Sequence, residues 1–144
     1  MNPNDLLLIS ELKRDEGVEY TPYFDSVGIE TVGVGHNLKV SPLDVHYPLT
    51  DDQVDLILSS DLLNVFSGLD AHLGWWRNLS YARQRVMVNM AFNMGIGTLL
   101  TFKNTLGAIE DGQYEAAAEG MLNSKWARQV GDRAYRLAKL MRVG

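Results

Sequence analysis

The chain has 144 residues, of which 46% are hydrophobic and 22% charged, and carries a net charge of −5. That length and balance describe one globular domain, or two small lobes sharing a core, and exclude a disordered or low-complexity chain. The absence of cysteine excludes a disulfide framework and a thiolate nucleophile.

The first element in chain order is a helix. Asn2-Pro3-Asn4-Asp5 is a helix start, Leu6, Ile9 and Leu12 recur at helical spacing, and Gly17 suits the stop. The only apolar run near the N-terminus is Leu6 to Ile9, with no basic residue before it. The expectation is a chain without a secretory signal or membrane insertion, made in the cytoplasm. From residue 18 the pattern changes. Tyr20, Tyr23, Phe24, Ile29, Thr31, Val32 and Val34 favour strands, with Asp25-Ser26-Val27-Gly28 as the turn between two of them. Gly33 and Gly35 alternate with Val32 and Val34, which predicts a strand bare on one face and open to close approach. Residues 39–49 hold two prolines and read as a loop. Thr50 and Gln53 form a capping box opening a helix through about Phe66, with a break at Gly68 to Gly74. Ser80 caps a helix that is apolar nearly all round, from Val86 to Met94, and so reads as a buried central helix. Further helices are expected at about 103–110, 113–123 and 132–141.

This pattern predicts an α+β domain spanning 1–144: a small β-hairpin lobe at about 18–49, and a mainly helical lobe from 1–17 and about 50–144. Charge is uneven along it. Residues 1–50 hold eight acids and three bases, whereas residues 124–144 hold six bases and one acid. Two walls of opposite sign would suit a cleft, though on charge alone two solvated helix faces are the better explanation.

The chemistry narrows by type. His36, His46 and His72 are scattered, with no zinc-binding spacing, and no metal site is expected. "GVGVGH" lacks the dinucleotide spacing and a parallel βαβ setting. No G-x-S-x-G elbow is present. The overall acidity argues against nucleic acid as a partner. Carboxylates remain. Glu16 closes a helix, where the negative end of the dipole disfavours its charge, and burial beside Tyr20 or Phe24 would act the same way. Asp25, in a polar turn, should stay ionised. Two carboxyls pushed apart in this way make an acid/base pair, and the Thr31 hydroxyl could hold a water. Spacing alone favours the plainer reading of these three as a helix end, a turn former and a strand residue, because a Glu and an Asp nine apart occur often by chance.

The run "LKRDEG…YFDSVGIETVGVGHNL" resembles the T4-type phage lysozymes, glycoside hydrolases that cut bacterial peptidoglycan. Glu16, Gly17, Asp25, Thr31, Gly33, Gly35 and His36 carry the likeness. "ARQRVMVNMAFNMG" is similar to the family's central helix, and the run from Thr101 through Arg133 is similar to its closing helices.

The resemblance implies a lysozyme-like fold and an endolysin: an N-acetylmuramidase cutting the β-1,4 bond between N-acetylmuramic acid and N-acetylglucosamine. Its cleft would lie between the lobes. Glu16 would be the general acid, Asp25 the base toward a water or a stabiliser of ring charge, and Thr31 the residue holding that water. Phe92, Asn93, Thr105 and Asn37 would contact substrate. Arg133 would reach toward Glu16, and His36 would pair with Asp61. No cofactor is implied. The implied partner is peptidoglycan, met by a monomer after release across the inner membrane by a separate holin. The chain departs from the family pattern in a trimmed β-lobe, in Asn37 where an apolar residue is usual, in Gly120 where an Asn is usual, and in its acidity. The rival readings are a lytic transglycosylase, which needs no water-activating partner, and an inactive wall-binding or tail module.

Overall fold

Asp5 opens the first helix, α1 (Leu6–Glu16), by accepting the Leu8 N–H at 2.9 Å, which satisfies one of the donors a helix start leaves unpaired. In the computed structural model, which describes residues 1–144, α1 belongs to the first of two compact units. That unit runs from 2 to 64, and the other from 65 to 144 with Met1. The buried stripe of α1 is Leu8, Glu11 and Leu12. Leu6 is 84% exposed, so the stripe expected from Leu6 and Ile9 is corrected to Leu8 and Leu12, which stack one turn apart on the same face. Gly17, at φ 76°, ends the helix as expected, returning its N–H to the Lys13 carbonyl at 2.9 Å.

Three antiparallel strands follow in the order β1 (Glu19–Phe24), β2 (Glu30–Gly33) and β3 (His36–Asn37). Asp25 makes the first turn by accepting the N–H groups of Val27 at 3.0 Å and Ile29 at 2.8 Å, the self-closing habit of aspartate in turns. Tyr23 stands opposite Thr31, and Thr31 opposite Asn37. The expected bare strand is shorter than read. β2 stops at Gly33, and Gly33 (φ 66°) and Gly35 (φ 62°) form the turn into β3, a left-handed backbone that only glycine adopts freely. Residues 38–49 form the expected loop, anchored by buried Leu38 and Leu49 and by the Leu49 N–H on the Tyr20 carbonyl at 2.7 Å.

Thr50 and Gln53 exchange hydrogen bonds of 2.9 and 3.1 Å and open α2 (Asp51–His72). This helix passes Phe66 and continues to His72, a correction to the break read at Gly68. Leu58, Leu62, Phe66 and Leu69 continue one buried stripe. Gly68 serves packing instead, since a Cβ there would sit 3.5 Å from Ile96. The N-terminal unit closes its core with Leu8, Leu12, Val32, Leu38, Leu49, Val54, Leu58 and Leu62.

In the C-terminal unit Trp76 is fully buried, its indole N–H donating to Asp70 at 2.7 Å. Ser80 caps α3 (Tyr81–Met94), and residues Arg85 to Ala91 are all buried, as the reading of a central helix required. Beyond it lie α4 (Ile96–Leu99), α5 (Lys103–Glu110), α6 (Tyr114–Leu122), α7 (Lys125–Val130) and α8 (Asp132–Val143). α4 and α7 differ from the sequence reading because they are too short to show a helical period. α6 and α8 pack together, each burying small residues, Ala117 and Ala118 on one and Ala134 and Ala138 on the other. The architecture is α+β: helices with one small antiparallel sheet.

Ser80 accepts the Arg83 N–H at 3.2 Å at the head of the buried helix. Replacing it with Ala should lower stability by about 1 kcal/mol, read as a fall in the urea midpoint at unchanged slope.

Candidate active site

Glu16 is the last residue of α1 and half-buried. Its carboxyl lies against Gly35: a Cβ there would stand 2.8 Å from Oε1 and 3.4 Å from Cδ. The bare backbone read from the glycine pattern is thus occupied by a side chain of the chain itself. The aromatic cover expected for Glu16 is different in fact. Phe24 is 69% exposed, and Tyr20 turns its hydroxyl to Asp51 at 2.7 Å, an ionic acceptor whose hydrogen bond raises the phenol's pKa.

Asp25 and Thr31 have restricted valences. Oδ1 of Asp25 is the atom that accepts both turn N–H groups, so its other oxygen is the one placed to receive a further donor. Thr31 is buried and donates its hydroxyl proton to the Ile29 carbonyl at 2.9 Å. A hydroxyl has one proton, so Thr31 meets any further partner as an acceptor. A water between these residues would therefore give one proton to each.

His36 is buried in the same unit. Nδ1 lies 2.7 Å from Asp61 Oδ2, and Nε2 lies 2.8 Å from the Ser41 carbonyl. The carboxylate's hydrogen bond raises the His36 pKa above 6.5 against the opposing effect of burial. The protonated ring donates at both ends and ties the 38–49 loop to α2. Asn37, expected to contact substrate, directs Oδ1 to the N–H groups of Lys39 at 2.9 Å and Val40 at 3.0 Å. Nowhere do three His, Cys, Asp or Glu side chains meet as a metal-binding group.

The other expected residues belong to the C-terminal unit. Asn93 accepts the Trp126 indole N–H at 2.7 Å. Phe92 is half-buried beside it in sequence. Thr105 is buried, and a Cβ at Gly120 would collide with its Oγ1. The absence of a side chain at Gly120 therefore gives Thr105 its room. Arg133 is buried and donates from Nε to Asn89 at 2.9 Å. Sequence reasoning missed a pocket of about 530 Å³ lined by Met94, Phe102, Gly120, Lys125, Trp126 and Gln129 among others. These residues come from separate helices and loops, and no spacing pattern links them.

Residues 13–142 match the phage lysozyme family. The chain is 28% identical over 156 residues to probable T4-type lysozyme 1 of Dictyostelium discoideum, covering 92% of each. It is 34% identical over 134 residues to peptidoglycan hydrolase gp36 of Pseudomonas phage phiKMV, spanning 91% of this chain and 14% of that protein. It is 27% identical over 165 residues to the pre-baseplate central spike protein Gp5 of Enterobacteria phage T4, spanning 99% of this chain and 28% of that one.

Two outcomes follow from the geometry. Gly35→Ala forces a Cβ onto Oε1 of Glu16 and a non-glycine residue to a positive φ, which should lower stability by about 1–3 kcal/mol in denaturant unfolding. For His36 the folded pKa lies above the ordinary 6.5. The stability it contributes is therefore complete below 6.5 and lost as pH rises through the higher folded value. Asp61→Asn should cost about 2 kcal/mol at acid pH, and the gap between parent and variant should narrow on going from about pH 5.5 to about pH 9.

Proposed function

The chain belongs to the phage lysozyme family, and on that footing we propose that it is an endolysin of the muramidase type. Its reaction is hydrolysis of the β-1,4 bond between N-acetylmuramic acid and N-acetylglucosamine in peptidoglycan. The observation that carries this reading is the matched set of valences at Asp25 and Thr31, on the unit where the Glu16 carboxyl meets the Gly33–Gly35 turn.

The roles follow from that set. Glu16 gives its proton to the glycosidic oxygen as the bond to the anomeric carbon breaks, so the leaving sugar departs as a neutral alcohol. The water donates one proton to Thr31 and the other to the outer oxygen of Asp25. Its remaining electrons attack the opposite face of the ring, and the proton passes to Asp25. This is the inverting course, with a water interposed between acid and base. No metal or organic cofactor enters the balance. The pocket beside Trp126 has the size of a small-ligand site and suits a sugar or a peptide branch of the wall. Lysis of the bacterial cell, as a monomer delivered to the wall by a separate holin, completes the reading. The match to a T4-type lysozyme over 92% of both chains supports the lysozyme part of this reading.

The test is release of reducing ends from purified Gram-negative peptidoglycan by the parent, Glu16→Gln and Asp25→Asn. Loss of at least about 10²-fold in folded Glu16→Gln is expected. Equal rates in parent and variant would remove Glu16 from the chemistry. An anhydro-sugar product in place of reducing ends would make the protein a lytic transglycosylase. Binding of peptidoglycan without cleavage by the parent would make it a wall-binding module.

A further inference from the structure

We propose that Tyr23 is a third residue positioning the attacking water, its phenol donating a hydrogen bond to the water held by Thr31 and Asp25. This rests on the hydrolytic reading above and adds to it a residue that neither the spacing nor the family likeness singled out.

The register places Tyr23 there. It pairs with Thr31 across β1 and β2, and directly opposed residues of an antiparallel pair project from the same face with Cβ atoms about 5 Å apart. Tyr23 is half-buried and its register partner Thr31 is buried. The charges that act on its hydroxyl are Glu16, Glu19 and Asp25, two of them the carboxyl groups of the proposed reaction. Burial first, and these three carboxylates after it, raise its pKa. The group therefore stays protonated and serves as a donor.

A donor is what the arrangement lacks. Thr31 and Asp25 both receive protons from the water, for the reasons of valence given above. Two anchors hold the oxygen at two fixed distances, which leaves it free to travel on an arc about the line joining them. A third hydrogen bond, from a donor to one of its two lone pairs, fixes the oxygen on that arc and leaves the other pair for the anomeric carbon. Asn37 is the other residue opposite Thr31, but its side chain is turned into the 37–40 turn by two backbone N–H groups. Tyr23 is the neighbour on the side of Asp25.

Tyr23→Phe keeps the ring and removes the donor. With the parent and Glu16→Gln in the same peptidoglycan assay, Tyr23→Phe should melt with the parent, keep its KM and lose roughly tenfold or more in kcat, the scale of one hydrogen bond lost at the transition state. Full-length protein carrying 3,5-difluorotyrosine at position 23, whose phenol ionises at lower pH, should lose activity at lower pH than the parent. A purely structural tyrosine would not move that profile. An active parent and inactive Glu16→Gln with an undiminished kcat in Tyr23→Phe would overturn the role of Tyr23 alone. So would a raised KM at constant kcat, or an unshifted pH profile in the fluorinated protein. An inactive parent would overturn the hydrolytic reading, and this proposal with it.

Discussion

The N-terminal unit depends on one close approach, that of the Glu16 carboxyl to the backbone at Gly35. Two glycines make it possible. Gly17 takes a positive φ directly after Glu16, so the helix ends on the carboxyl rather than carrying it along another turn. Gly35 offers no Cβ at the place where Oε1 sits. Glycine loses more chain entropy on folding than other residues, and the Gly33–Gly35 turn contains two of them at positive φ. The neighbouring structure offsets that loss. His36 follows Gly35 at once and is held at both ring nitrogens, by Asp61 and by Ser41. The residue that fixes the turn is thus adjacent to the residue that admits the acid.

The sheet adds direction to this arrangement. Three strands as short as these would be marginal alone, and they are held by α1, α2 and the loop that returns from Leu49 to Tyr20. Their contribution is orientation. Asp25 uses one oxygen to build its own turn, and Thr31 uses its proton to close on Ile29. Each side chain is spent on one side, so a water held as proposed would meet two acceptors whose orientation the backbone has set in advance. Preorganisation of this kind is the part of catalysis that a small protein supplies without cofactors.

Much of this was legible where the signal was local. The α1 stop at Gly17, the Thr50–Gln53 box and the Ser80 cap are each written within four residues and appear as read. What depended on tertiary packing was not legible. Gly68 looks like a break until Ile96 is known to lie against it, and α4 and α7 are too short to express a period. Gly33 and Gly35 read as a bare strand face because alternation with valine is the same pattern for a strand and for a turn of two left-handed glycines. At the site, spacing favoured a plain structural reading of Glu16, Asp25 and Thr31, and only the likeness to a family brought them forward. Tyr23 was visible merely as a strand former. Its place opposite Thr31 follows from a register that is irregular between Glu19 and Tyr23, which no counting along the chain would give.

The uneven charge has a smaller meaning than the sequence suggests. Of the six bases between 124 and 144, Arg142 pairs with Glu115 at 2.8 Å, and Arg133 is buried on Asn89. Lys125, Arg128 and Lys139 are the clearly exposed ones among the rest, a modest patch on a chain of net charge −5. At physiological salt such charges are screened within about 8 Å. Long-range attraction to an anionic polymer is therefore a weak part of how this protein would hold a substrate. Contact-range groups would have to do more of it, and the indole of Trp126, oriented by Asn93, with the pocket beside it, is of the right kind. An acidic chain can serve an anionic substrate on these terms, because hydrogen bonds and aromatic faces act at distances where net charge no longer decides.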